Sequence, residues 1–237
     1  MPTELVSLFD PSIRNCESAV LESGDGWFIP GRTCFFAEGG GLPSDRGAFS
    51  AAGTLGEIIN VQKTEEGMKH FTAGGAVPAA GESVSLSLDW EYCHLLRRYH
   101  TALHVLCATI WKMYGVKVTG AQVREGSARM DFGFPEWKPE YREAIEREVN
   151  AALSGGAEVK IYSLPADDAR KIPDLLRTEI DLLPEGLSEI RIVEIVGVDL
   201  QADGGAHVRN LSEVGRLAIK KVENKGKGFR RLEVELD

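Results

Sequence analysis

The chain has 237 residues, 43% of them hydrophobic and 27% charged, a balance that suits an ordinary globular protein of one large domain or two modest ones. A net charge of −9 and a pI near 5.2 argue against a general polyanion binder, while leaving room for a local basic patch. No apolar run approaches the roughly 20 residues of a membrane span. The start, MPTELVSLFDPS, lacks the basic-then-apolar pattern of a secretory signal, and the four cysteines show no CxxC spacing, so the cytoplasm is the expected compartment.

The first ninety residues read as β structure. Ala19–Leu21 and Trp27–Ile29 flank a Ser-Gly-Asp-Gly turn and predict a hairpin. Thr33–Phe36 is a further β-prone run, and it opens onto a loop with three consecutive glycines, Gly39, Gly40 and Gly41. Such a triplet marks a sharp turn or a close approach, because glycine there is otherwise entropically unfavourable. More strands are expected at Gly56–Gln62, Met68–Phe71 and Ser83–Leu88. Short strands at this spacing predict a small barrel or sandwich.

Composition changes at Asp89, a good N-cap. From there to Tyr114 apolar residues recur at helical spacing, with Gly115 as the stop. A boundary is placed before this helix, giving a glycine-rich β-barrel-like domain over 1–88 and an α+β domain over 89–237. Two strands are expected at 116–123 and 127–134, then a second helix from Pro139 to Gly155-Gly156. A strand at 158–163 and a short helix at 166–171 follow. Ile190–Leu200 reads as one β-branched strand, and a closing hairpin spans 214–222 and 229–236 around Asn224–Gly228. Helices interspersed with antiparallel strands make an α+β fold.

Two clusters carry chemistry. His100 and His104 sit four residues apart on the first helix, so their side chains stack on one face and can close on one metal ion, each nitrogen about 2.0–2.1 Å from a zinc. About a hundred residues later a glycine turn reads Asp203-Gly204-Gly205-Ala206-His207. Gly204 and Gly205 read equally well as backbone N–H donors to a developing oxyanion and as a place where the turn approaches the helix.

Four segments, in order, carry a resemblance: Phe36–Gly47 (FAEGGGLPSDRG), Arg98–His104 (RYHTALH), Arg129–Phe132 (RMDF), and Asp203–Asn210 (DGGAHVRN) with Glu213-Val214-Gly215. This set looks like the editing domain of alanyl-tRNA synthetases. It resembles still more closely the free-standing alanyl-tRNA editing proteins, the AlaX family, in the longer form with an N-terminal β domain. The resemblance covers nearly the whole chain. It implies a hydrolase that cleaves the ester joining a wrong amino acid, serine or glycine, to alanine tRNA. It further implies one Zn2+ held by His100, His104, Asp203 and His207.

Three residues depart from the family pattern: Asp203 replaces a cysteine, Ala206 a threonine, and Leu42 a glutamine. Asp203 can be a zinc ligand, with other divalent ions admitted by its harder oxygen. It can instead orient a liganding histidine, or mark an altered or inactive paralogue that serves as a tRNA- or protein-binding module.

For the tRNA partner, the candidate contacts are Glu38, Gly39, Gly40, Gly41 and Asp45 in the first glycine loop, Arg98 before the histidines, and Lys225 and Lys227 in the last hairpin. Each has a structural alternative: Asp45 as a turn cap, Arg97 and Arg98 as helix-surface charges, the lysines as a solvated loop. Lys220, Lys221, Arg230 and Arg231 extend the basic stretch, where phosphate contacts would fall with salt. His70 and His94 lack partners at ligand spacing and read as surface or packing residues. Trp27, Trp90, Trp111 and Trp137 read as core or domain-junction aromatics. No ATP-binding segment is recognisable, so no aminoacylation is expected.

Overall fold

Alternation of apolar and polar side chains along short strands builds the first part of the chain. The computed structural model describes residues 3–177 and 186–237. It gives β1 (Glu4–Leu5), β2 (Asn15–Gly24), β3 (Trp27–Pro30), β4 (Arg32–Thr33), β5 (Gly47–Ala51), β6 (Thr54–Lys63), β7 (Met68–Thr72) and β8 (Ser83–Leu88). Six of these close into a barrel in the order β2-β3-β7-β6-β5-β8, the barrel rather than the sandwich. Its interior is filled by Phe28, Phe49, Val61, Val84 and Leu86, inward members of a period-2 pattern, together with Phe35 from the loop after β4.

The β-prone run at Thr33–Phe36 is mostly not strand. Only Arg32–Thr33 pairs, in parallel with Glu4–Leu5, and Phe35 and Phe36 are held by side chains instead. Thr33 Oγ1 accepts the Phe35 N–H at 3.1 Å, and Asp45 Oδ2 accepts the Phe36 N–H at 2.9 Å. The triple-glycine loop is a tight hairpin turn: Gly39 and Leu42 exchange both backbone hydrogen bonds, while Gly40 (φ +60°) and Gly41 (φ +81°) supply the two left-handed residues that a type I′ turn needs.

The remainder contains α1 (Trp90–Tyr114), β9 (Val118–Arg124), β10 (Ser127–Phe132), α2 (Glu140–Ser154), β11 (Val159–Pro165) and α3 (Ala166–Ala169). After these come β12 (Glu189–Ile195), β13 (Asp199–Ala202), β14 (Leu217–Asn224) and β15 (Arg230–Leu236). Asp89 caps α1 through its carboxylate, 3.3 Å from the Tyr92 N–H, and Gly115 (φ +66°) ends it. Two antiparallel sheets follow, ordered β14-β15-β10-β9 and β11-β12-β13. The fold is α+β, as expected. By compactness the chain divides into Met1–Leu96 and Arg97–Asp237, so the division falls inside α1.

The expected single strand over 190–200 is a correction. The chain reverses at Val196–Val198, where Val198 N–H bonds the Ile195 carbonyl at 2.8 Å and Gly197 takes φ +74°. β12 and β13 are therefore neighbours, pairing Ile192 with Ala202 and Ile195 with Asp199. The β-branched residues before Gly197 dominate the segment, so the short, less strand-like Asp199–Ala202 reads as their continuation although Gly197 interrupts the run. The consequence reaches the site. Along β13, Leu200 and Ala202 pack into the core with Ile190 and Ile192, which turns Asp199, Gln201 and Asp203 to the opposite face.

Candidate metal centre

Helix α1 and the turn after β13 bring four side chains together. His100, His104, Asp203 and His207 each offer one ligand atom, and these atoms all lie within 4.8 Å of one another. His100 Nε2 and His104 Nε2 stand 3.8 and 3.9 Å from Asp203 Oδ1, and His207 Nε2 is 3.0 Å from Asp203 Oδ2. Bonds of about 2.0–2.2 Å in a tetrahedron would place neighbouring ligand atoms about 3.3–3.6 Å apart. The observed separations bracket that edge.

The opposite nitrogens are all engaged by the protein. His100 Nδ1 donates to the Ala206 carbonyl at 3.2 Å, and His104 Nδ1 lies 3.2 Å from Asp199 Oδ2. His207 Nδ1 is 3.0 Å from Thr101 Oγ1, which also accepts the Val208 N–H. With every Nδ1 held outside, the three Nε2 atoms face inward, the arrangement in which imidazoles serve as ligands. The buried His/Asp group can therefore hold a metal ion, and its donor set, three imidazoles and a carboxylate, is legitimate for zinc.

Gly205 is shaped by this packing. A Cβ there would lie 2.3 Å from His100 Cε1 and 2.7 Å from His100 Nδ1, so no other residue fits without displacing the imidazole. Its N–H donates to Asp203 Oδ2 at 2.6 Å, so the geometry matches the close-approach alternative of the two readings for Gly205. Gly204 is exposed, with nothing near its would-be Cβ, and its N–H is unpaired among the described residues. Arg191, across from the turn, donates to the Asp203 carbonyl at 2.7 Å and braces it.

Electrostatics follow from burial and convergence. Burial pushes His100 below the usual imidazole value, and burial together with His100 pushes His207 well below it. Burial opposes charge on His104 too, but the Asp199 and Asp203 carboxylates outweigh it and push His104 up to about 9. Asp203 is buried, which alone would raise it, yet His100, His104 and His207 hold it well below the usual carboxylate range. Among the three imidazoles, His104 is therefore the one whose charged form its surroundings favour, because two carboxylates face it.

Several expected contact residues are engaged elsewhere. Arg98 donates through Nε and Nη2 to the Val214 carbonyl at 3.0 and 2.8 Å and also to the Asp237 carbonyl, so it is held by the fold rather than standing free for substrate. Arg97 is 1% exposed, which removes it from the helix surface. Asp45 is 2% exposed and holds the Phe36 N–H, the turn-stabilising alternative of its two readings. Glu38 is exposed and accepts from Gln62 at 2.9 Å, and Gly39, Gly40 and Gly41 are exposed beside it.

In the last hairpin the basic run is largely neutralised: Lys220 pairs with Glu235, Lys221 with Glu223, and Arg231 with Asp131. Lys225 and Lys227 are exposed in the loop and form no ion pair among the described residues. His70 and Trp137 are packing residues, while His94 stacks on Trp90 at 5.2 Å. Sequence reasoning missed Asp199, Thr101 and Arg191. The lone Gly197 in a β-branched run was the one signal that could have placed Asp199 near the helix.

Residues 190–233 match the family described as Threonyl and Alanyl tRNA synthetase second additional domain. The chain is 34% identical over 234 residues to the Alanyl-tRNA editing protein AlaX-M of Saccharolobus solfataricus, covering 97% of each. It is 32% identical to the AlaX-L protein of Pyrococcus horikoshii, covering 97% of this chain and 57% of that one. It is also 32% identical to the Alanine--tRNA ligase of Pyrobaculum arsenaticum, over 94% of this chain and 25% of the ligase. With the helix–turn cluster and full-length similarity at this level, the chain belongs to the AlaX family of alanyl-tRNA editing proteins.

Proposed function

We propose that this chain is a trans-editing hydrolase that removes serine or glycine from mischarged alanine tRNA, with one divalent ion, zinc in the first instance, held by His100, His104, Asp203 and His207. The observation that carries the reading is the convergence of three Nε2 atoms and one carboxylate within 4.8 Å, from segments a hundred residues apart in sequence. When bound, such an ion supplies Lewis-acid polarisation of an ester carbonyl or a bound water of lowered pKa.

The chain's own residues do the rest. Asp199, Thr101 and the Ala206 carbonyl fix the three imidazoles, and Gly205 lets the turn close on His100. The exposed Gly204 N–H is the donor left for a developing oxyanion. An aminoacyl ester is already an activated acyl group, so positioning and charge stabilisation suffice for its hydrolysis. Lys225 and Lys227 suit phosphate contact, and the exposed Glu38–Gly41 turn is the second candidate contact with tRNA. The cytoplasm is the compartment in which such a substrate is found, and ATP has no role in the reaction.

Asp203 and Ala206 motivate a second reading, a paralogue that keeps the fold and binds tRNA or protein without hydrolysis. The position of Asp203 inside the imidazole cluster favours the hydrolase. Metal analysis of the purified protein, with deacylation of seryl- and glycyl-tRNA, tests it. Stoichiometric metal and cleavage above the buffer rate are expected. Metal-free protein that leaves both charged tRNAs intact would transfer the assignment to the binding module.

A further inference from the structure

One buried carboxylate next to the cluster is not among the candidate ligands. Asp199 opens β13 with its side chain fully buried, on the same face of the strand as Gln201 and Asp203. Its Oδ2 is 3.2 Å from His104 Nδ1 and accepts Gln201 Nε2 at 2.7 Å, while Oδ1 accepts Arg177 Nη1. Both oxygens are thereby fixed, and the carboxylate cannot rotate away from the imidazole. A buried charge is costly unless fully partnered, and the core of this unit could be closed at that position by an apolar residue. The arrangement makes sense if the negative charge acts on His104.

We infer that Asp199 is a positioning residue of the metal centre. It fixes the His104 tautomer with Nδ1–H outward, aims Nε2 at the side where Asp203 lies, and strengthens that nitrogen as a donor. This rests on the metal reading above. Gln201 and Arg177 hold Asp199 in turn, so the chain of contact runs from β13 through an outer carboxylate to the helix ligand. Outer-shell partners of this kind contribute roughly 10–100-fold to metal affinity.

The test is zinc affinity by chelator competition at one fixed pH, on the whole chain, alongside the thermal midpoint of the metal-free protein. Asp199→Asn keeps an acceptor for Nδ1–H but removes the charge, and about a tenfold weaker zinc affinity is expected. Asp199→Leu removes both, with about a hundredfold loss expected. If either protein fails to fold, Gln201→Met removes one brace from Oδ2 while keeping side-chain length, and a zinc-affinity loss smaller than that of Asp199→Asn is expected. A merely structural Asp199 would lower the metal-free midpoint and leave zinc affinity of the folded protein unchanged, which overturns the inference. Wild-type protein that binds no zinc, manganese or cobalt sinks the metal reading and this inference together. Wild type that binds while the variants match it sinks only the role of Asp199.

Discussion

The barrel and the second unit each bury histidine, with opposite outcomes. His70 lies inside the barrel, fully buried between the Phe28 and Phe35 rings. Its Nδ1 donates to the Met68 carbonyl at 2.9 Å, and its Nε2 accepts from Thr33 Oγ1 at 2.8 Å. Both nitrogens are satisfied by the fold, nothing is left for a ligand, and burial pushes the imidazole down to about 4. In the second unit the fold engages Nδ1 of His100, His104 and His207 and turns each Nε2 toward Asp203, which His207 Nε2 contacts at 3.0 Å. Burial does not distinguish a site from a core; what distinguishes them is whether the second nitrogens are satisfied one by one or converge on a shared carboxylate.

The strongest way to break this contrast is substitution on both sides. His104→Ala should lose stoichiometric metal and drop seryl-tRNA deacylation to the buffer rate, with elemental analysis and the deacylation assay as readouts. His70→Gln should keep both. Metal retained in the first variant, or lost in the second, would erase the distinction.

Acid sharpens the same contrast at the next level. The folded value of His70 lies below its unfolded value, so the unfolded chain takes up the proton first as pH falls. Stability is therefore intact above about 6.5 and is lost as pH drops from there toward about 4. That window corresponds to about 3 kcal/mol. Denaturant unfolding across pH 4–7 should show this slope, and His70→Gln, which cannot titrate, should reduce it by about 1.4 kcal/mol per pH unit. An unchanged slope would mean that other groups govern the barrel's acid sensitivity.

Somewhat smaller is the stabilisation expected from metal itself. Zinc at a hundred times its dissociation constant should raise unfolding free energy by about 2.7 kcal/mol in wild type and by nothing in His207→Ala. Replacing Asp203 by the cysteine found in the AlaX pattern should preserve binding while narrowing it toward zinc, because thiolate is the softer donor. Competition between zinc and manganese in wild type and Asp203→Cys reads this directly, and identical preferences would show that the carboxylate is not a ligand.

The cluster of His100, His104, Asp203 and His207 was legible in the sequence because helical i,i+4 spacing and a glycine turn are local patterns, and the family likeness joined them. The barrel was legible from strand length and punctuation, and Asp89 and Gly115 marked both ends of α1. What could not be read was reversal and depth. The turn at Gly197 follows a strongly β-branched strand, and the short Asp199–Ala202 after it read as that strand's end, so Asp199 seemed to lie on a strand running past the site instead of returning to it. Arg98 looked available because it precedes His100 by two residues, yet its partner carbonyls at Val214 and Asp237 are more than a hundred residues away. Gly205 read equally as an oxyanion donor and as a place of close approach, and only the fold shows its backbone N–H on Asp203 and its missing side chain against His100. Long-range partners of this sort leave no trace in spacing.

The smallest predicted effect concerns the hairpin, and it separates charge that is available from charge that is merely present. Lys220, Lys221 and Arg231 have carboxylate partners within the sheet, so removing one of them also leaves an acid unpaired. Lys225 and Lys227 are exposed and have no such partner among the described residues. Each phosphate that a lysine neutralises contributes about 0.7–0.9 to the slope of log affinity against log salt. Lys225→Ala with Lys227→Ala should therefore weaken alanine-tRNA binding at low salt, reduce that slope by about 1.5, and leave metal content unchanged. A double variant with the wild-type slope would remove the hairpin from the tRNA interface. The first glycine turn, where Gly40 and Gly41 are exposed at positive φ, would then be the remaining candidate contact.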